Sequence, residues 1–177
     1  MKDKLGLVHI YTGDGKGKTT AAVGLATRAL GQGLRVLYVS FHKRPEKYGY
    51  TEMQSLEKLG ATILNMAKGH PHMDTSLDVD KIRQETHDAL KTLNTLIRAE
   101  SFDLLILDEI IISVRDHFIE EQELIDFILN KPANMELVIT GRGATNRMIE
   151  IAQYVSQIDK IKHPYDEGIS SRKGIEF

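Results

Sequence analysis

The run Thr12-Gly13-Asp14-Gly15-Lys16-Gly17-Lys18-Thr19-Thr20 holds the residues best suited to chemistry. Its glycines let the backbone curl so that successive N–H groups point inward at anionic oxygens. A helix that opens at Thr19 adds a partial positive charge at the same place. Lys18 then pairs with phosphate oxygens, and the Thr19 hydroxyl is placed to ligate Mg²⁺. The usual first glycine of such a loop is Thr12 here. A flexible turn that merely contains Gly-Lys-Thr is the competing reading, and it is disfavoured by the strand before the run and the helix after it.

A second acidic element is Leu104-Leu105-Ile106-Leu107-Asp108-Glu109. An apolar strand ending in carboxylates beside a phosphate loop is where Mg²⁺ is held, directly or through water. Taken alone, the run reads better as a strand that simply meets solvent at Asp108. Together the two elements predict binding of a Mg-triphosphate, ATP above all, and leave open which bond breaks. Weaker candidates are Arg142, just after the apolar run Glu136–Thr140, and Lys43 with Arg44 after Arg35–Phe41. Each is a ligand contact or a solvated charge.

These residues need a frame. Leu5–Tyr11, Arg35–Phe41, Ala61–Met66, Leu104–Asp108, Glu136–Thr140 and Val155–Ile161 read as six strands, short and rich in Val, Ile and Leu. Helical patterns separate them. Thr19–Leu30 is followed by Gly31 as C-cap, Thr51–Leu59 starts at a capping Thr, and Val79–Ile97 has an apolar stripe. Glu121–Leu129 stops before Pro132, and Asn146–Gln153 begins at a capping Asn. His42–Tyr50, Ala67–Leu77 and the tail from His163 read as loops that reach the ligand edge. Strand and helix in alternation predict an α/β fold, one domain over residues 1–177, with a mostly parallel sheet of about six strands and helices on both faces.

The chain has 177 residues, a net charge of −2 and no cysteine. Length suits one full core. The charge excludes nucleic acid as a default partner, and the missing cysteines exclude disulfides, thiolate metal sites and thiol catalysis. The apolar run Leu104–Val114 is split by Asp108 and Glu109, so no membrane span is expected. The apolar run near Met1 is shorter than a secretory signal needs. The expectation is a cytoplasmic protein.

The chain resembles the ATP:corrinoid adenosyltransferases. The resemblance rests on Thr12–Ala22, Phe41–Lys43, Gly60–Met66 with Ala67 and Gly69, Leu107–Glu109, Ile139–Gly143, and a tail that holds Lys162-His163, Tyr165-Asp166, Gly168-Ile169 and Gly174–Phe177. It implies a RecA-like phosphate-loop domain, a homodimer, and transfer of the 5′-deoxyadenosyl group of ATP to the cobalt(I) of a corrinoid with release of triphosphate. Reduced cobalt is itself the nucleophile, so the protein supplies charge stabilisation and positioning. Lys16, Lys18 and Glu109 are then the catalytic candidates, and Thr19, Asp108 and Glu109 the Mg²⁺ ligands. The resemblance also implies an electron-donating reductase. It sets His70 and His72 where family members carry aromatic residues against the lower face of the corrin, and it gives Lys43 and Arg142 to ligand contacts. Two alternatives stay open: a kinase or ATPase attacking at phosphorus, and a nucleotide- or corrinoid-binding carrier with little turnover.

Overall fold

The computed structural model describes residues 4–45, 49–69 and 78–176. Six strands, β1 (Val8–Thr12), β2 (Val36–Phe41), β3 (Thr62–Met66), β4 (Leu104–Asp108), β5 (Glu136–Thr140) and β6 (Tyr154–Gln157), form one sheet in the order β3-β2-β4-β5-β1-β6. Every pairing is parallel. The helices are α1 (Lys18–Gly31), α2 (Thr51–Lys58), α3 (Val79–Ala99), α4 (Ile110–Arg115), α5 (Glu121–Leu129) and α6 (Asn146–Ile151), with a 3₁₀ turn at Pro164–Glu167. This is the expected α/β architecture with helices on both faces.

The two faces follow from alternation along each strand. Leu37, Val39, Leu105, Leu107, Leu137 and Ile139 point to one side and pack with α3, α4 and α5. Tyr38, Ile106 and Val138 point to the other, against Ala22, Ala26 and Ala29 of α1 and Met53 and Leu56 of α2. Small residues on α1 let that helix lie close to the sheet, which brings its N-terminus to the strand ends. Within α3 the buried stripe is Ile82, Thr86, Ala89, Leu90, Leu93 and Ile97, and Asp78 caps it by accepting from the N–H groups of Asp80 and Lys81.

The strand Leu104–Asp108 stands as expected, but a helix follows it that was not expected: the chain turns at Glu109, with φ 68°, and α4 begins at Ile110. Its residues Ile110, Ile111, Ser113 and Val114 are all buried, so no amphipathic pattern marks it. Other boundaries shift. Strand β6 ends at Gln157 rather than Ile161, because Ile158 turns onto the phosphate loop, and Ile161 is 97% exposed. Caps shift by one residue: Thr145 rather than Asn146 accepts from the Met148 N–H, Tyr50 rather than Thr51 precedes α2, and Gln32 rather than Gly31 closes α1. No helix among the described residues is long and apolar enough to cross a membrane.

Candidate functional site

The loop between β1 and α1 owes its shape to glycines that no other residue can replace. Gly13 and Gly17 have φ of 97° and 133°, and Gly17 is the N-cap of α1. Gly15 has no room for a side chain: a Cβ there would lie 2.6 Å from the Asp159 carbonyl oxygen and 2.7 Å from that of Ile158. The Gly15 N–H donates to the Ile158 carbonyl at 2.7 Å, and the Ile158 N–H donates to Thr12 at 2.9 Å. The segment after β6 therefore buttresses the loop from behind. Gly15→Ala is expected to weaken ATP binding by tenfold or more, about 1.4 kcal/mol, since both obstructing atoms are backbone. Gly24→Ala inside α1, where an added Cβ meets nothing within 4 Å, should instead stabilise the fold by roughly 0.5–1 kcal/mol. Calorimetric titration with ATP and thermal melts of the two variants check the contrast.

Lys18 is buried, and its ammonium donates to the carbonyls of Gly13 and Gly15, both at 2.7 Å. Burial pushes its pKa down, and the negative charge of Glu109 is the largest opposing influence. The ammonium thus lies inside the curl of the loop, where an anion would meet it. Lys16 and Thr20 are exposed on the loop and the first turn of α1.

Asp108, the last residue of β4, is fully buried. Its Oδ1 accepts from the hydroxyls of Thr19 (3.0 Å) and Thr140 (2.8 Å). Its Oδ2 accepts from Tyr38 (2.8 Å) and from the Lys43 ammonium (2.6 Å). Burial alone would raise its pKa, but the Lys43 charge and the hydrogen bonds from Lys43, Thr140 and Tyr38 hold the carboxyl below its ordinary value. Glu109 behaves in the opposite way. Its carboxyl is buried, and Oε2 has no hydrogen-bond partner among the described residues. Burial, reinforced by the adjacent Asp108 charge, raises its pKa. Its backbone N–H donates to the Thr140 hydroxyl at 2.9 Å, so a single threonine positions both acids. A left-handed glutamate costs on the order of 1 kcal/mol, the kind of strain found at functional positions.

Arg142 follows Gly141, whose φ is 142° and whose added Cβ would strike Ile111 at 2.8 Å. Its guanidinium lies 3.8 Å from Asp14 at the mouth of an open cleft of about 390 Å³ lined by Thr12, Gly13, Arg115 and Gln157 among others. The structure thus gathers Thr12, Gly13, Asp14, Gly15, Gly17, Lys18, Thr19, Asp108, Glu109 and Arg142 at one edge of the sheet. Lys43 also reaches this edge, spent on two carboxylates. His70 and His72 lie outside the described residues. Sequence reasoning missed Tyr38, Thr140 and Glu52. Tyr38 carried one signal, a phenol in an otherwise apolar strand whose hydroxyl needs a partner once buried.

A model of the family described as ATP:corrinoid adenosyltransferase BtuR/CobO/CobP matches residues 4–177. The chain is 31% identical over 176 residues to a corrinoid adenosyltransferase of Escherichia coli (strain K12), spanning 99% of this chain and 88% of that protein. It is 33% identical over 177 residues to a corrinoid adenosyltransferase of Sinorhizobium sp, spanning 99% and 82%. It is 30% identical over 179 residues to the corrinoid adenosyltransferase CobA of Salmonella typhimurium (strain LT2), spanning 99% and 88%. With a glycine-shaped loop around Lys18, a buried acid on its threonine, and likeness along nearly its whole length, the chain belongs to the ATP:corrinoid adenosyltransferase family.

Proposed function

We propose that the chain transfers the 5′-deoxyadenosyl group of ATP to the cobalt(I) of a corrinoid and releases triphosphate, with the loop around Lys18 as the cradle of the leaving group. The observation that carries this reading is the joint placement at one mouth of Lys18, the Thr19 hydroxyl and Glu109 Oε2, which has no hydrogen-bond partner among the described residues. Cobalt attacks C5′ of the ribose, the C5′–O bond breaks, and its electron pair leaves on the triphosphate. Charge therefore grows on the α-phosphate side, where the Lys18 ammonium, the loop N–H groups and the N-terminus of α1 stabilise it. Arg142 and the exposed Lys16 supply further positive charge from the rim.

Mg²⁺ fits the residues. It keeps several waters and takes one or two carboxylates plus substrate phosphates, so it needs no cage of three acids, and none gathers among the described residues. Thr19 and Glu109 would hold it, and when bound it neutralises part of the triphosphate charge. The proposal extends to a cytoplasmic homodimer served by a reductase, because the corrinoid cobalt must be reduced before it can attack.

Incubating the protein anaerobically with ATP and chemically reduced cobalamin tests the reaction. Loss of the cobalt(I) absorbance with one triphosphate per adenosylated corrinoid is expected. ADP with inorganic phosphate would overturn the reading in favour of attack at phosphorus.

Glu109→Gln is expected to stabilise the ligand-free protein at neutral pH by about 1 kcal/mol, by removing a buried charge beside Asp108, while lowering Mg²⁺-dependent turnover at least tenfold. The pH dependence has a definite sign. The Glu109 carboxyl is raised in the folded state, so folding favours its protonated form. That contribution is full below the unfolded value of about 4.3 and is lost as pH rises through the folded pKa. The gain from Gln should therefore shrink toward acid, which melts of both proteins at pH 4.5 and pH 7.5 would register.

A further inference from the structure

The Lys43 ammonium is built into the site rather than offered to solvent. Lys43 is 8% exposed, and its Nζ lies 2.6 Å from Asp108 Oδ2 and 3.1 Å from Glu52 Oε1. It also sits 5.0 Å from the centre of the Tyr50 ring. Its backbone is anchored as well: the Lys43 carbonyl accepts from the Asn65 side-chain amide of β3 at 3.3 Å. Tyr50 caps α2 and Glu52 lies in its first turn, so the amine is gripped from helix and sheet together.

A carboxylate offers about four lone-pair positions. Those of Asp108 are taken by four donors: Thr19, Thr140, Tyr38 and Lys43. Three are neutral hydroxyls. Only Lys43 brings a charge, and it makes the shortest of the four contacts. A divalent cation that bound Asp108 directly would have to displace one of them and to sit against a buried ammonium.

We infer that Lys43 is a resident counter-cation that keeps Asp108 out of direct metal coordination, so that Asp108 serves to orient the Thr19 hydroxyl while Glu109 is the metal's carboxylate. Lys43 is thus a positioning residue for the transfer reaction and not a contact for the corrinoid. Through Glu52 and Tyr50 it also ties the placement of Asp108 to α2. The inference rests on the metal–triphosphate reading of the loop.

That dependence is separable by experiment. Calorimetric binding of Mg-ATP to the wild-type protein tests the loop itself, whereas metal binding without nucleotide tests Lys43. The probe is Mn²⁺ alone, counted by electron paramagnetic resonance on the full chain. Lys43→Met leaves Asp108 as an uncompensated anion and is expected to bind Mn²⁺ on the order of tenfold tighter or more, the scale of one added charge at contact distance. Lys43→Arg, which keeps the cation, should bind as wild type, and the double variant Lys43→Met/Asp108→Asn should lose the gain. Mn²⁺ should raise the melting temperature of Lys43→Met more than that of wild type, while kcat of Lys43→Met falls. A merely structural lysine would lower stability and metal affinity together. The inference is overturned if folded Lys43→Met binds Mn²⁺ no tighter than wild type, or if the double variant keeps the tighter binding. Should Lys43→Met be unfolded in metal-free buffer, recovery of its circular dichroism on adding Mn²⁺ supports the inference, and failure to recover overturns it.

Discussion

Replacing Lys18 with alanine should abolish tight Mg-ATP binding while the fold survives. The ammonium is buried and faces the loop carbonyls of Gly13 and Gly15 instead of the apolar core. Truncating one partner of a desolvated, hydrogen-bonded charge pair costs about 2–5 kcal/mol, which is roughly 30- to 4,000-fold in affinity. The ligand-free protein should lose much less. Lys18 is held there at the expense of its own hydration, as its lowered pKa records, so its removal relieves a burial cost while two carbonyls lose a donor. Isothermal titration with Mg-ATP and a thermal melt separate the two effects. Unchanged affinity would remove this loop from the nucleotide site.

The second large effect belongs to Asp108→Asn. Asp108 and Lys43 are a buried ion pair, and removing the Asp108 charge leaves the buried ammonium to Glu52 alone, at a cost of up to about 3–5 kcal/mol. For a chain of this length that corresponds to a fall in melting temperature of roughly 6–20 °C. An amide also cannot accept on both atoms, so a pair of donors, either Thr19 with Thr140 or Tyr38 with Lys43, loses its acceptor. The pH signature runs opposite to that of Glu109. Because the folded pKa of Asp108 is depressed, its contribution is present above the unfolded value of about 3.9 and is lost as pH falls through the folded value. Wild type should therefore lose stability on acidification more steeply than Asp108→Asn does. Equal melting temperatures for the two proteins at pH 7.5 would mean that the pair contributes nothing.

The frame was legible because a parallel sheet covered on both faces makes its strands nearly uniform apolar runs. β2, β4 and β5 carry that signature, and their positions follow directly from it. The loop was legible because Gly13, Gly15, Gly17 and Lys18 stand in continuous sequence. What stayed hidden is of another kind. α4 is only six residues long and starts with three isoleucines, so no period distinguishes it from the strand it follows, and the turn at Glu109 uses a residue type that rarely takes a positive φ. The assignment of Lys43 turned on pairing with Asp108, 65 residues away, which no local pattern encodes. Without that pairing a lysine in a loop reads as a solvated charge or a ligand contact. The end of β6 was missed for a similar reason: Ile158 continues the apolar pattern, but its carbonyl is claimed by Gly15.

That last bond has a consequence for the order in which the protein matures. Among the described residues β6 is an edge strand paired with β1 alone, and the Ile158 carbonyl reaches back across nearly the whole chain to the loop that β1 carries. A ribosome that has released the first five strands has made most of the core, yet the loop around Lys18 still lacks its buttress. The β1–β5 pairing already brings the two ends of the chain together, so β6 docks last because it is made last, by the short connection from β5 through α6. Nucleotide binding is therefore expected to appear late in synthesis, once β6 and Ile158 have been added to the sheet. ATP present during refolding would draw the final strand into place and would have little effect on the rest.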